Sequence, residues 1–101
     1  ARIAVRDDLP ADAVRGLSTQ ERAWLLALAD AADAAKPTSG EAWQSLIFSA
    51  AKEGGLQPVR AFASLYAAFL GRTNGPRAGW LLAALDPTLV VTRLRAAAEI
   101  Q

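Results

Sequence analysis

The sequence predicts an all-α fold, a compact orthogonal bundle of about five to six short helices, and three observations carry that prediction. Alanine fills 24 of the 101 positions and leucine 14, two of the strongest helix formers. Apolar residues recur at spacings of three and four through most of the chain, the period of a helix with one buried stripe. Helix-start chemistry stands at the head of successive runs, as Ser/Thr-x-x-Glu boxes or as first-turn prolines. A chain of this length supports one hydrophobic core.

Residues 1–8, ending in Val5-Arg6-Asp7-Asp8, have no helical period and are expected to be a linker arm from a preceding domain. Residues 9–101 are expected to be a single helical-bundle domain. Leu9 to Leu17 predicts a short connecting helix, with Pro10 in its first turn and Gly16 near its end. Ser18-Thr19-Gln20-Glu21 is a capping box that opens a helix to about Ala35, with Trp24, Leu25, Leu28, Ala31, Ala32 and Ala35 as its buried stripe.

Thr38-Ser39-Gly40-Glu41 predicts a second capping box, followed by a helix that buries Trp43, Leu46, Ile47, Ala50 and Ala51. Pro58 opens the run with the heaviest apolar face, Val59, Phe62, Leu65, Tyr66, Phe69 and Leu70, which is expected to be the central element of the core. Gly71 caps it. A fifth helix is predicted from Pro76 to Leu85 with Trp80, Leu81, Ala84 and Leu85 inward, and a sixth from Pro87 towards Glu99. The sixth buries Leu89, Val90, Leu94 and Ala97, with Arg93 and Arg95 off the stripe.

Composition removes several kinds of chemistry. Cysteine and histidine are both absent, which excludes disulfides, thiol nucleophiles, imidazole catalysis and the usual zinc sites. No residue set forms a catalytic constellation, and the pairs Asp7/Asp8 and Asp30/Asp33 lack the further ligands a metal site needs. No run reaches the ~20 apolar residues of a membrane span, so a soluble, cytoplasmic protein without a membrane partner is expected. The net charge of +1 gives no global basic signature, and any nucleic-acid contact must be local.

The local candidate is Gly71-Arg72-Thr73-Asn74-Gly75-Pro76-Arg77-Ala78-Gly79-Trp80, a glycine-rich junction that carries two arginines between two apolar helices. It lacks the lysine and the spacing of a P-loop. Arg72, Asn74 and Arg77, with Arg60 and Thr73 less central, are the RNA-binding candidates. Arg77 is expected in the first turn of the fifth helix, where free amides assist anion binding. The structural alternative is that Arg77 folds over the bundle and hydrogen-bonds carbonyls at the end of the fourth helix. Trp80, Trp43 and Tyr66 have the chemistry to stack on bases, and their helical spacing equally suits a core.

At this junction the chain resembles a known family. Ala61 to Arg72 followed by Gly75-Pro76-Arg77-Ala78-Gly79-Trp80 is similar to the C-terminal region of class I lysyl-tRNA synthetases, where a Leu-Gly-basic step leads into a Gly-Pro-Arg-small-Gly-aromatic junction. Related glutamyl-tRNA synthetases carry a looser Gly-Pro version. The resemblance implies a non-catalytic, all-helical, anticodon-binding domain whose partners are tRNA, with tRNA(Lys) the implied species, and the catalytic domain of the same parent chain. The His-Ile-Gly-His and Lys-Met-Ser-Lys-Ser type motifs are missing, so adenylation and the ATP it needs would belong to the parent upstream, with no cofactor in these residues. The opening arm and the absent methionine fit an excised domain. The competing expectation is a helical protein-interaction module whose Gly-Pro-Arg junction is purely structural; a DNA-binding helix-turn-helix ranks third, for want of a basic recognition helix.

Overall fold

In the computed structural model, which describes Val5 and residues 7–100, six helices follow one another: α1 (Ala11–Arg15), α2 (Thr19–Ala35), α3 (Gly40–Glu53), α4 (Pro58–Leu70), α5 (Ala78–Ala83) and α6 (Pro87–Glu99). No strand occurs among the described residues. The all-α expectation is met. Of the linker-arm segment, residues 1–4 and Arg6 lie outside the described residues; Val5 packs partly buried against the core.

The starts follow from the caps. Ser18 accepts from the Glu21 amide at 3.1 Å while the Glu21 carboxylate accepts from the Ser18 amide at 2.8 Å, the reciprocal box predicted for α2. The second box does not form. Ser39, one residue later than expected, is the cap of α3 and accepts from the Ala42 amide at 3.1 Å, so Glu41 falls out of register for the return bond. Pro58 and Pro87 occupy first-turn positions, and Asp86 accepts from the Thr88 amide at 2.8 Å.

Helix α4 packs against each of the other five helices, as its apolar face predicts, while α2 lies chiefly on α6 and α3 on α5. The core joins Trp24, Leu25 and Leu28 of α2, Trp43 and Ile47 of α3, Leu65 and Phe69 of α4, Leu82 of α5, and Val90 and Leu94 of α6. Alanine shapes this packing: Ala29, Ala51, Ala61, Ala68 and Ala97 are all buried and allow the helices to approach closely.

The stripes deviate from their predictions at identifiable places. Val59 is 71% exposed and Leu89 stands at the surface, because they lie on the outward edges of stripes drawn too wide. Ala31 and Ala35 likewise leave the α2 seam to Ala29 and Ala32. Arg93, expected off the stripe, is buried. Its guanidinium donates to the Asp7 carbonyl at 3.0 Å and to Ala68 at 3.3 Å, and it lies over the Phe69 ring at 5.6 Å. It thereby fastens the segment before α1 to α4 and α6. Burial draws its pKa down, against Asp8 and Asp7, which push it up.

Candidate nucleic-acid interface

The junction between α4 and α5 is built by its glycines and by its neighbours on α3 and α4. Gly71 takes φ 73°, the left-handed conformation that glycine adopts without strain, and its amide donates to the Tyr66 and Ala67 carbonyls at 3.0 and 3.2 Å. The chain then turns back over α4. Gly75 sits so close to Leu70 and Tyr66 that a Cβ there would stand 2.6 Å from Leu70 Cδ1 and 3.1 Å from the Tyr66 ring. The Tyr66 hydroxyl donates to the Pro76 carbonyl at 2.6 Å, and partial burial pushes its pKa up, keeping the donor proton in place.

Pro76 does not open α5. The helix begins at Ala78 with Arg77 as an N-cap that makes no side-chain cap bond, and it buries Ala78, Gly79 and Leu82. The register is therefore shifted from the predicted one: Trp80 is 41% exposed and Ala84 is exposed. The reason lies on α3. Gly79 packs directly on the first turn of that helix, with its amide donating to Gln44 Oε1 at 2.9 Å and its Cα facing the Gly40 carbonyl. Gly40 in turn lies under the Trp80 indole, where a Cβ would come within 2.3 Å of Cδ2. A glycine on each helix lets two backbones meet, and the indole closes over the contact from outside.

Arg77 completes the stack. Its guanidinium carbon lies 4.1 Å from the centroid of the Trp80 ring. Since the Gly40 backbone holds one face of the indole, the guanidinium takes the other. Arg77 makes no hydrogen bond to the carbonyls at the end of α4; Tyr66 does the pinning that the structural alternative gave to Arg77. The first-turn anion site also fails, because α5 is a six-residue helix and Gln44 already occupies the Gly79 amide.

Arg72, Thr73 and Asn74 project from the same junction, all exposed. Arg60 does not join them. It lies at the opposite end of α4, about 15 Å from Leu70 along the helix axis at 1.5 Å per residue. There its guanidinium donates to Ser18 Oγ at 3.0 Å and pairs with Glu21 at 3.5 Å. Glu21 feels burial that raises its pKa, and the Ser18 amide and hydroxyl, Arg60 and Ser64 more than offset it, so the carboxyl is held below its ordinary value. Trp43 is buried at 3% exposure and unavailable for stacking, whereas Trp80 and Tyr66 reach the surface.

The junction arginines differ from the other described arginines in what they bond. Arg15 pairs with Asp12, Arg22 donates to the Val14, Arg15 and Ile100 carbonyls, Arg60 meets Ser18 and Glu21, Arg93 is buried against carbonyls, and Arg95 bridges Asp30 and Asp33. Of the described arginines, Arg72 and Arg77 alone give no hydrogen bond or ion pair to a described residue. The sequence points to these two arginines but not to the support that Gly40 and Gln44 give the Arg77–Trp80 contact, nor to the bond by which Tyr66 holds Pro76. The signal for Gly40 was available: a glycine in a helix's first turn, where nothing in the turn requires it. Among the described residues no group of acidic side chains is placed to hold a metal, and no helix is long and apolar enough to cross a membrane.

A sequence model of the family described as anticodon binding domain matches residues 4–98. Among curated proteins the chain is 29% identical over 113 aligned residues to lysine–tRNA ligase 1 of Methanosarcina acetivorans, covering 96% of this chain and 21% of that protein. It is 30% identical to the lysine–tRNA ligase of Methanosarcina barkeri, over 98% of this chain and 21% of the relative. The lysine–tRNA ligase of Archaeoglobus fulgidus is 31% identical over 92% of this chain and 18% of its own length. The chain thus spans about a fifth of the length of these relatives.

Proposed function

Because the chain belongs to the anticodon binding domain family, we propose that it binds the anticodon end of a tRNA through the α4–α5 junction, with Arg72, Asn74 and Arg77 as the contacting side chains. The observation that carries this proposal is the state of the arginines. In a protein with ten acidic residues, the two junction arginines are exposed and form no hydrogen bond or ion pair with a described residue, while the other described arginines are bonded. Exposed guanidinium groups of this kind suit phosphate oxygens and the edges of unpaired bases.

The relatives are named as lysine–tRNA ligases, which supports tRNA(Lys) as the cognate species and a class I lysine–tRNA ligase as the parent activity. In this proposal ATP binding and adenylation belong to other domains of that parent, in the cytoplasm, and these residues supply recognition alone. Arg60 is left out of the contact set, since Ser18 and Glu21 already engage it.

The test is binding of this chain to a tRNA(Lys) transcript and to one with a changed anticodon, across a salt series. Wild type should prefer the cognate transcript, and Arg72→Ala and Arg77→Ala should each weaken binding and reduce the salt slope by about 0.7 to 1. If neither Arg77→Ala nor the changed anticodon alters affinity while circular dichroism shows a folded chain, recognition through this junction is wrong.

A further inference from the structure

Two of the large apolar side chains exposed on the described surface, Phe48 and Trp80, are linked to the junction through α3. Gly40, Gln44 and Phe48 succeed one another at four-residue spacing along α3 and form one stripe. Gly40 carries the Trp80 ring, Gln44 holds the Gly79 amide, and Phe48 meets Phe62 edge to face, with centroids 5.4 Å apart and planes at 89°. Phe62 and Tyr66 are one turn apart on α4, and Tyr66 returns to the junction through its bond to Pro76. Val59 precedes Phe62 on the same edge of α4.

This surface has two aromatic stations. One is the Arg77–Trp80 stack over Gly40; the other is the Phe48–Phe62 pair, eight residues further along α3. Eight residues of helix advance about 12 Å, the rise of three to four stacked nucleotides at ~3.4 Å each. Lys52 follows Phe48 by one turn and makes no ion pair with a described residue. The outer edge of α4 between the stations, Val59 to Tyr66, has no acidic residue. Along α3 the neighbouring acids are Glu41, beside Gly40, and Glu53, beside Lys52, so Lys52, Arg72 and Arg77 outnumber them by three to two in a chain whose net charge is only +1.

We infer that the Phe48–Phe62 pair is a second stacking station for an unpaired RNA base, with Lys52 meeting the adjoining phosphate. A guanidinium layered on an indole and an exposed aromatic pair, each beside a cation, suit a single strand, since its bases stack on aromatic rings and arginine planes while its phosphates need neutralising charge. The inference rests on the tRNA reading above and extends it from the junction along α3 to a place that junction recognition alone does not need.

The test uses this chain and a seventeen-nucleotide-class anticodon hairpin of tRNA(Lys), carrying 2-aminopurine at one loop position at a time. Phe48→Leu keeps apolar bulk and removes the ring, whereas Phe48→Tyr keeps the ring. Leu should weaken hairpin binding about tenfold and abolish the quenching of one loop position, while Tyr should retain both. Lys52→Ala should lower the salt slope by about 0.7. If wild type binds the hairpin and Arg77→Ala weakens it, but Phe48→Leu binds as wild type does, the second station is refuted and the junction proposal stands. If wild type does not bind the hairpin at all, both fail. If Phe48→Leu spares RNA binding and instead abolishes association with the rest of the parent enzyme, the face docks protein and the assignment is overturned.

Discussion

Replacing Gly79 with alanine tests the contact on which the junction depends. A Cβ at this position would stand 2.5 Å from the Gly40 carbonyl oxygen, 2.6 Å from Gln44 Oε1 and 2.8 Å from the Gln44 amide nitrogen. Two of the three are backbone atoms, so no rotamer change relieves the clash. To restore an ordinary carbon–oxygen contact of about 3.3 to 3.6 Å, α5 must withdraw from α3 by roughly 1 Å. Such overpacking costs about 1–3 kcal/mol, and losing the Gln44 bond to the Gly79 amide adds about 0.5–1.5 kcal/mol. Alanine's better helix propensity returns about 0.5–1 kcal/mol. The net expectation is a loss of about 2 kcal/mol, or roughly 8–16 °C in Tm for a domain of this size. Gly54→Ala is the control: it ends α3 at φ −85° with its nearest neighbour atom at 3.4 Å, and it should be neutral or slightly stabilising. Paired urea and thermal melts of the two variants decide the matter. A Gly79→Ala chain within about 0.5 kcal/mol of wild type would refute the close approach of α3 and α5.

Glu21→Gln should destabilise the chain by about 1 kcal/mol at neutral pH. Because the native carboxyl is held below its ordinary value, the wild-type advantage is full above the unfolded-state pKa and disappears as pH falls through the native one. Urea melts of both chains between neutral and acid pH should therefore converge at the acid end; a constant gap would contradict the assignment. Arg93→Met should cost about 2–4 kcal/mol, since it leaves the Asp7 and Ala68 carbonyls without their charged donor; amide exchange should show the loss first in the segment before α1. Arg95→Ala should leave tRNA affinity and its salt slope unchanged, because Arg95 is neutralised between Asp30 and Asp33, while Arg72→Ala lowers both. Equal effects of the two on a salt titration would mean that RNA responds to net charge alone.

The elements of the fold were legible because their signals are local. Ser18 and Glu21 state their own helix start, and Pro58 and Pro87 state theirs. What failed depended on partners distant in sequence. Pro76 offers a first-turn proline, yet its carbonyl is claimed by Tyr66 and the helix waits until Gly79 reaches α3. Trp80 has the size of a core residue, but the register set by Gly79 against Gly40 turns it outward. Arg93 looks like a surface arginine from its charge and becomes buried because the Asp7 and Ala68 carbonyls converge on it. The site was found as a stretch of sequence, from its glycines and arginines, while its support on α3 had no expression in sequence proximity.

That support explains how Arg77 is held still without losing its donors. An arginine anchored by a carboxylate, as Arg95 is by Asp30 and Asp33, has its charge matched and its N–H groups engaged before any ligand arrives. The contact of Arg77 with the Trp80 ring, 4.1 Å from guanidinium carbon to ring centroid, takes up none of its five N–H donors in a hydrogen bond to a described residue. The position is thus ordered by an interaction that leaves its hydrogen-bonding edge open, so less rotamer freedom remains to be lost on binding. The order extends inward: the indole rests on Gly40, Gly79 is held by Gln44, and both belong to α3, which α2 and α4 pack in place. A side chain at Gly40 would lift the ring by more than about 1 Å to recover carbon contact distance, and the guanidinium would move with it. Gly40→Ala should consequently weaken RNA binding without removing any candidate contact. Trp80→Leu should do the same by freeing Arg77, whereas Arg77→Lys should lose the planar fork but keep the charge, separating edge recognition from simple attraction.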